Sequence, residues 1–252
     1  MATNYQYEGE TIPIVESALT HATHDPDLAQ AGDAVLVGSL VGVALNSAAA
    51  NTDSIQVAVE GVWALPAAAV TDTVDSAIAV GDKLYFSTAE TKATGTLTST
   101  GTAPSDGDTV TIGSTVYTFK TALTTDPAAV PYEVLIGVSA AVALDNLKSA
   151  INKTAGEGTT YGTGTTAHPS VEATTNTNTT QVVQALTAGA AGNDIASTET
   201  SSQLAWGAAT LFGAKSKGDL TKTSGNMFFG TAVSTLAAGD FGTVNVLIKR
   251  AL

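Results

Sequence analysis

The sequence predicts a mainly β chain: a small β-barrel or sandwich core with an extended N-terminal arm, plus an inserted α+β domain carrying one helix. Three observations predict it. A Gly-Asp turn feeds an apolar run at Gly32-Asp33 and at Gly81-Asp82, and the same pair recurs at Gly107-Asp108 and Gly239-Asp240. One turn chemistry used this often marks short strands joined by tight turns. Second, a strand–turn–strand phrase is written twice. Leu40-Val41-Gly42-Val43-Ala44-Leu45 aligns with Phe228-Phe229-Gly230-Thr231-Ala232-Val233, and Ile55-Gln56-Val57-Ala58-Val59 aligns with Val244-Asn245-Val246-Leu247-Ile248. Alanine-rich runs and an acidic turn, at Asp53 or Asp240, join the two halves each time. Third, helical spacing is convincing only where Val142, Leu144, Leu147 and Ile151 follow Ser139, a good N-cap.

Taken in order, residues 1–17 (MATNYQYEGETIPIVES) read as an extended arm, because Pro13 disfavours helix and Gly9 interrupts any run. Residues 18–30 (ALTHATHDPDLAQ) form a polar loop. Strands follow at 34–37, 41–45 and 55–62, then a Pro/Ala/Thr/Asp connection at 66–76 and a strand ending at Phe86. From Ala93 the texture changes, and TGTLTSTGTAPSDGD reads as a linker. Val110–Ile112 and Thr115–Lys120 make a hairpin whose Gly113-Ser114 turn suits a type II′ geometry. A short strand at 133–137 precedes the helix, AAVALDNLKSAIN, and strands at 171–173 and 181–187 follow it. Leu204, Trp206, Leu211 and Phe212 anchor the end of this region.

The expected domains are therefore an arm at 1–17, a discontinuous β core of 18–101 with 214–252, and an inserted α+β domain at 102–213. The polar segment GAKSKGDLTKTSG returns the chain to the core. Insertions of this kind are tolerated at exposed loop tips whose ends lie close together.

The 252-residue chain is 44% hydrophobic, too apolar for a disordered protein, and only 6% aromatic. Its net charge of −13 repels nucleic acid, so DNA or RNA binding is not expected. Basic residues concentrate at the end, where Lys215, Lys217 and Lys222 read as solvated surface groups or as partners of the acidic N-terminal part. There is no cysteine, hence no disulfide framework or thiolate metal site. The first 20 residues lack the apolar core of a signal peptide, and no apolar run is long enough to span a bilayer. The expectation is a soluble protein made in a cytoplasm, without membrane association.

Chemistry-bearing motifs are sparse. His21-x-x-His24 with Asp25 and Asp27 has no recognised zinc spacing, and Asp25-Pro26 reads as turn chemistry, so HATHDPD is expected to be a polar loop without metal. His168, in TTAHPS, reads as a surface-loop residue rather than a base. There is no G-x-S-x-G elbow, no Walker A motif and no G-x-G-x-x-G, so no catalytic residue and no cofactor is assigned. The loops at 156–180 and 189–194 could display a glycan- or calcium-binding surface, but lack EF-hand spacing and read as solvated loop. The inventory fits an interaction or structural protein better than an enzyme.

Several stretches, in this order, resemble the decoration, or cement, proteins of tailed-phage heads: Tyr7–Ile12, Ala31–Ala44, Val59–Val62 and Val80–Tyr85, with Gly230–Ile248 similar to the closing segment of that family. The resemblance covers residues 5–95 and 226–250. Residues 102–213 depart from it, and are similar instead to a module of several phage structural proteins through Thr111–Lys120, Leu135–Gly137, Asp145–Asn152 and Ala191–Asn193. The resemblance implies a non-enzymatic virion protein on the outer capsid surface, with the major capsid protein as partner and a homotrimer, or else a dimer, as the binding form. Under this reading the arm residues Tyr5, Tyr7, Ile12 and Ile14 contact the shell and the inserted domain faces solvent. The alternatives are a phage tail or fibre component, and a glycan-binding module carried by the inserted domain.

Overall fold

The computed structural model describes residues 11–70, 76–125, 128–224 and 226–249. The chain divides into two compact units, one made of Met1–Thr91 with Lys215–Leu252 and the other of Lys92–Ala214. In chain order the first unit contributes β1 (Thr11–Val15), β2 (Ala34–Val37), β3 (Leu40–Ala44), β4 (Ser54–Ala58), β5 (Gly61–Ala68) and β6 (Lys83–Phe86). The second holds β7 (Thr94–Ser99), β8 (Thr109–Ile112), β9 (Thr115–Lys120), β10 (Glu133–Leu135), α1 (Ala140–Asn152), β11 (Val171–Asn176), β12 (Thr180–Ala185), β13 (Ser197–Glu199) and β14 (Leu204–Trp206). The chain then returns to the first unit with β15 (Leu220–Thr221), β16 (Met227–Ala232) and β17 (Phe241–Ile248). The protein is mainly β, with one α-helix among the described residues and a closed five-stranded barrel.

The first unit is one four-strand motif built twice. One sheet runs β1-β4-β3-β2, and the barrel runs β5-β17-β16-β6 with β15 closing it between β6 and β5. The registers coincide from Gly42 and Gly230 onward, whereas before Gly230 the β16–β6 ladder shifts by one residue, a bulge that the β3–β2 ladder lacks. Val43 faces Ala58 and Ala44 faces Val57 in the first copy, as Thr231 faces Leu247 and Ala232 faces Val246 in the second. Val35 faces Gly42 as Leu84 faces Gly230, and Ile12 faces Val57 as Trp63 faces Val246. Thr20 bridges Leu36 as Thr221 of β15 pairs with Tyr85.

The turns repeat as well. The backbone N–H of Gly32 donates to Ala44 at 2.7 Å, and that of Gly81 to Ala232 at 2.8 Å. Asp33 Oδ2 accepts from the Gln30 N–H and Asp82 Oδ2 from the Ala79 N–H, closing the same tight turn before β2 and before β6. This is why the Gly-Asp pair precedes a strand: glycine supplies the positive φ (98° and 94°) and the carboxylate caps the turn.

Equivalent positions also build the two cores. Val35, Ala44, Ile55, Val57 and Val59 form one buried cluster, and their counterparts Leu84, Ala232, Val244, Val246 and Ile248 lie buried in the barrel cluster with Leu65, Phe86 and Phe229. Alternation along β4 and β17 sends Ile55, Val57, Val244, Val246 and Ile248 inward, each contributing roughly 1.5–3 kcal/mol of burial. The copies differ at one loop. β2 and β3 are joined by the two-residue turn Gly38-Ser39, whereas residues 87–226 lie between β6 and β16.

In the second unit two four-stranded sheets, β10-β9-β8-β13 and β11-β12-β7-β14, share a core with α1. Leu144, Leu147 and Ile151 of the helix are buried with Val110, Tyr117 and Phe119. Ser139 Oγ accepts from the Val142 N–H, and Lys153 ends the helix in the left-handed conformation.

Three expectations need correction. The stretch read as a linker contains β7, which lies between β12 and β14. Its Gly95 is a packing residue, since a Cβ there would stand 2.3 Å from Leu211 Cδ2, and Leu97 is fully buried. The strand expected at 55–62 is two strands in different sheets, divided before Gly61, whose φ is 116°. The connection expected from residue 66 begins later, because β5 runs through Pro66 to Ala68. On its β15 side, β5 is paired only at Ala67, which leaves room for a residue without an N–H.

Candidate functional site

The repeat places an apolar groove of about 690 Å³ on the first unit. Its walls come from corresponding stretches of the two copies: Ser39-Leu40-Val41, from the turn into β3, and Met227-Phe228-Phe229 at the start of β16. Ile12 of β1 and Val59 also line it, and Lys249 supplies one charge. Phe228 is 47% exposed and meets Tyr85 edge-on, with ring centroids 6.0 Å apart. Phe229 is buried and stacks on Phe86 at 6.1 Å. Strand alternation explains the division: one phenylalanine anchors the core and its neighbour faces out. A large aromatic side chain left half exposed beside other apolar groups marks a surface suited to docking.

The arm residues fare differently. Tyr5 and Tyr7 lie outside the described residues. Ile12 pairs with Val57 and lines the groove, whereas Ile14 pairs with Ile55 and packs on the Val35/Ile55/Val57 cluster. Residues 11–15 are thus an edge strand of the first sheet. Sequence reasoning missed Leu40, Met227 and Phe228 as a surface, although the signal was in view. Leu40 and Phe228 open the repeated phrase, where the second copy writes two phenylalanines, and Met227 immediately precedes it.

The histidines also differ from expectation. His168 is 4% exposed, so it is a core residue of the second unit rather than a surface one. Its Nε2 donates to the Ile112 carbonyl at 3.0 Å, and its Nδ1 accepts from the N–H groups of Ser170 and Val171 at 3.1 Å each. Both nitrogens are used, and burial lowers its pKa below the usual 6.5, partly opposed by the bond to Ile112. It is a neutral structural imidazole. His21 and His24 come together with Asp33, not with Asp25 or Asp27. In the 189–194 loop, Asn193 is turned inward, donating to the Ala214 carbonyl and accepting from its N–H.

The family model described as "Phage cement protein" matches residues 16–116. The matched segment spans β2 to β8, continues into the second unit as far as Val116, and stops before β16 and β17. The closing segment 226–250 of the resemblance therefore lies outside it. No curated protein and no solved structure matches the chain. No helix among the described residues is long and apolar enough to cross a membrane. Over residues 16–116, less than half of its length, the chain is thus similar to phage cement proteins.

Proposed function

We propose that the protein binds the outside of an assembled phage capsid as a homotrimer and cements neighbouring subunits of the major capsid protein, catalysing no reaction. The family match over residues 16–116 carries this reading. The groove between Leu40 and Phe228 supports it, because it offers apolar contact area that includes Ile12 of β1, the strand that follows residues 1–10 in the sequence. Tyr5 and Tyr7, with Ile12 and Ile14 at their base, supply the shell contact. Each subunit contributes a modest patch, and three patches on one symmetric oligomer raise avidity without any single strong contact. The second unit, which adds acidic residues, is left to solvent.

Co-sedimentation with purified expanded shells tests this. The full chain should pellet with expanded shells and not with unexpanded ones. Removal of residues 1–10, or Phe228→Asp, should weaken binding at least tenfold while light scattering still reports a trimer. Undiminished binding by both variants would remove the arm and groove from the contact. Binding to tail assemblies in place of shells would overturn the cement reading itself.

A further inference from the structure

We propose that the first copy of the motif carries a divalent-metal site of the zinc class, formed by His21, His24 and Asp33 with Glu16 beside it. The three candidate ligand atoms all lie within 4.8 Å of one another. The rings of His21 and His24 are nearly parallel, at 8°, with centroids 6.1 Å apart. His24 Nε2 stands 2.8 Å from Asp33 Oδ2. His21, 4% exposed, has its Nε2 3.0 Å from Oε1 of Glu16, which is 3% exposed. That oxygen also accepts from the Ala29 N–H at 3.1 Å. The second Glu16 oxygen, Oε2, is buried with no hydrogen-bond partner among the described residues. A carboxylate oxygen left so is costly unless a cation or a donor meets it.

The second copy shows what the fold alone requires at this place. Asp82 closes the same turn as Asp33, and one cation, Lys222 with its Nζ 2.9 Å away, satisfies it. Lys222 follows Thr221 as His21 follows Thr20, the two threonines holding the equivalent bridges to Tyr85 and Leu36. Glu16, four residues after Ile12, has Ala67, four residues after Trp63, as its counterpart in register. One copy is therefore complete with an aspartate, a lysine and an alanine. The other brings an aspartate, two imidazoles and a buried glutamate to the same corner. The surplus is a ligand set.

Its chemistry suits Zn²⁺, which takes imidazole nitrogen and carboxylate oxygen at about 2.0–2.2 Å in tetrahedral sites. Small side-chain rotations bring groups already within 4.8 Å to that spacing. Three protein ligands leave a fourth position for water or for the Glu16 carboxylate. His21 Nδ1 donates to the Ala22 carbonyl at 2.6 Å, the usual means of orienting a ligand ring, which turns Nε2 toward the site and toward Glu16. The ion would tie the connection between β1 and β2 to the start of β2.

The test uses the full chain, stripped with a chelator and titrated with Co²⁺ and then Zn²⁺. One Co²⁺ per chain should bind with the ligand-field absorption of a tetrahedral nitrogen/oxygen site, Zn²⁺ should displace it, and Zn²⁺ should raise the thermal midpoint. His24→Ala and Asp33→Asn should each weaken binding roughly tenfold or more. Asp82→Asn and Lys222→Ala, at the corresponding corner of the second copy, should leave it unchanged. Should a first-copy variant fail to fold, the Co²⁺ spectrum and the Zn²⁺-dependent midpoint of the unaltered protein decide the matter. Absence of both at millimolar metal overturns the proposal, as does equal weakening by Asp82→Asn.

Discussion

Gly42 and Gly230 occupy one and the same place in two copies of a four-strand motif. A Cβ on Gly42 would stand 2.4 Å from Val57 Cγ1 and 2.5 Å from the Ala58 carbonyl oxygen. On Gly230 it would stand 2.7 Å from Val246 Cγ1 and 2.8 Å from the Leu247 carbonyl oxygen. The valine can rotate, but the carbonyl belongs to the ladder and cannot move without disturbing the hairpin. Gly42→Ala and Gly230→Ala should each destabilise the first unit by about 1–3 kcal/mol. Gly207→Ala, with nothing nearer than 3.7 Å, should be close to neutral. Denaturant midpoints check all three, and a neutral Gly42→Ala would contradict the close approach.

The second unit occupies the place of a two-residue turn. In the first copy Gly38-Ser39 joins β2 to β3, and in the second the chain leaves after Thr91 and returns at Lys215. The Thr91 N–H donates to the Lys215 carbonyl at 3.0 Å, so the two ends are already adjacent within the first unit. Thr94 and Phe212 bridge likewise within the second. Closing so short a gap adds little entropy cost. Replacing residues 92–214 with a four-residue Gly/Ser bridge should therefore give a cooperatively melting protein, and residues 92–214 alone should fold as well. Circular dichroism melts of the two fragments check this. If either is insoluble or melts without a transition, the units depend on each other.

The hairpins were legible because alternation was written in full. Ile55, Val57 and Val59 match Val244, Val246 and Ile248 in spacing and in chemistry, and burial alone requires that match. The outer strand of each copy was not legible, since TIPIV and VWALP share a role but no residue pattern. β7 was hidden because Gly95 and the surrounding threonines look like a flexible segment, while the reason for that glycine, the Leu211 side chain above it, lies more than 100 residues away. The helix was legible to its ends because its cap and its buried face are both local. The groove needed both copies in space, and so did the approach of Asp33 to His21 and His24. Neither can be read from neighbours in sequence.

Tyr117 is fully buried in the second unit, and its hydroxyl has no hydrogen-bond partner among the described residues. Burial raises its pKa above the usual 10, with Tyr132 adding to the rise. The ring itself is well placed, edge-on to Tyr132 at 5.7 Å and stacked on His168 at 6.3 Å. Removing an unsatisfied buried hydroxyl while keeping the ring loses no bond and lifts a desolvation penalty. Tyr117→Phe should therefore leave the denaturant midpoint of the second unit unchanged or raised by about 1 kcal/mol or less. A clear loss of stability would show that the hydroxyl has a partner after all.

His168 should make the second unit sensitive to mild acid. Its ring is held neutral by burial, and its Nδ1 accepts two backbone N–H groups that a protonated ring could not satisfy. The folded pKa is thus below the unfolded value of 6.5. Between those two values the unfolded chain binds more protons than the folded one, so stability rises with pH there. The contribution is fully present above about pH 6.5 and is lost as pH falls below it through the lowered folded value, at no more than about 1.4 kcal/mol per pH unit. Trp206 fluorescence in a Trp63→Phe background reports the second unit. The midpoint should drop between about pH 7.5 and pH 5.5 in the parent, and drop less in His168→Gln, which starts lower at pH 7.5 because two backbone donors lose their acceptor. The two proteins differ only at residue 168, so the difference between the two pH profiles isolates this ring. Identical profiles would mean that His168 takes up its proton without disturbing the fold.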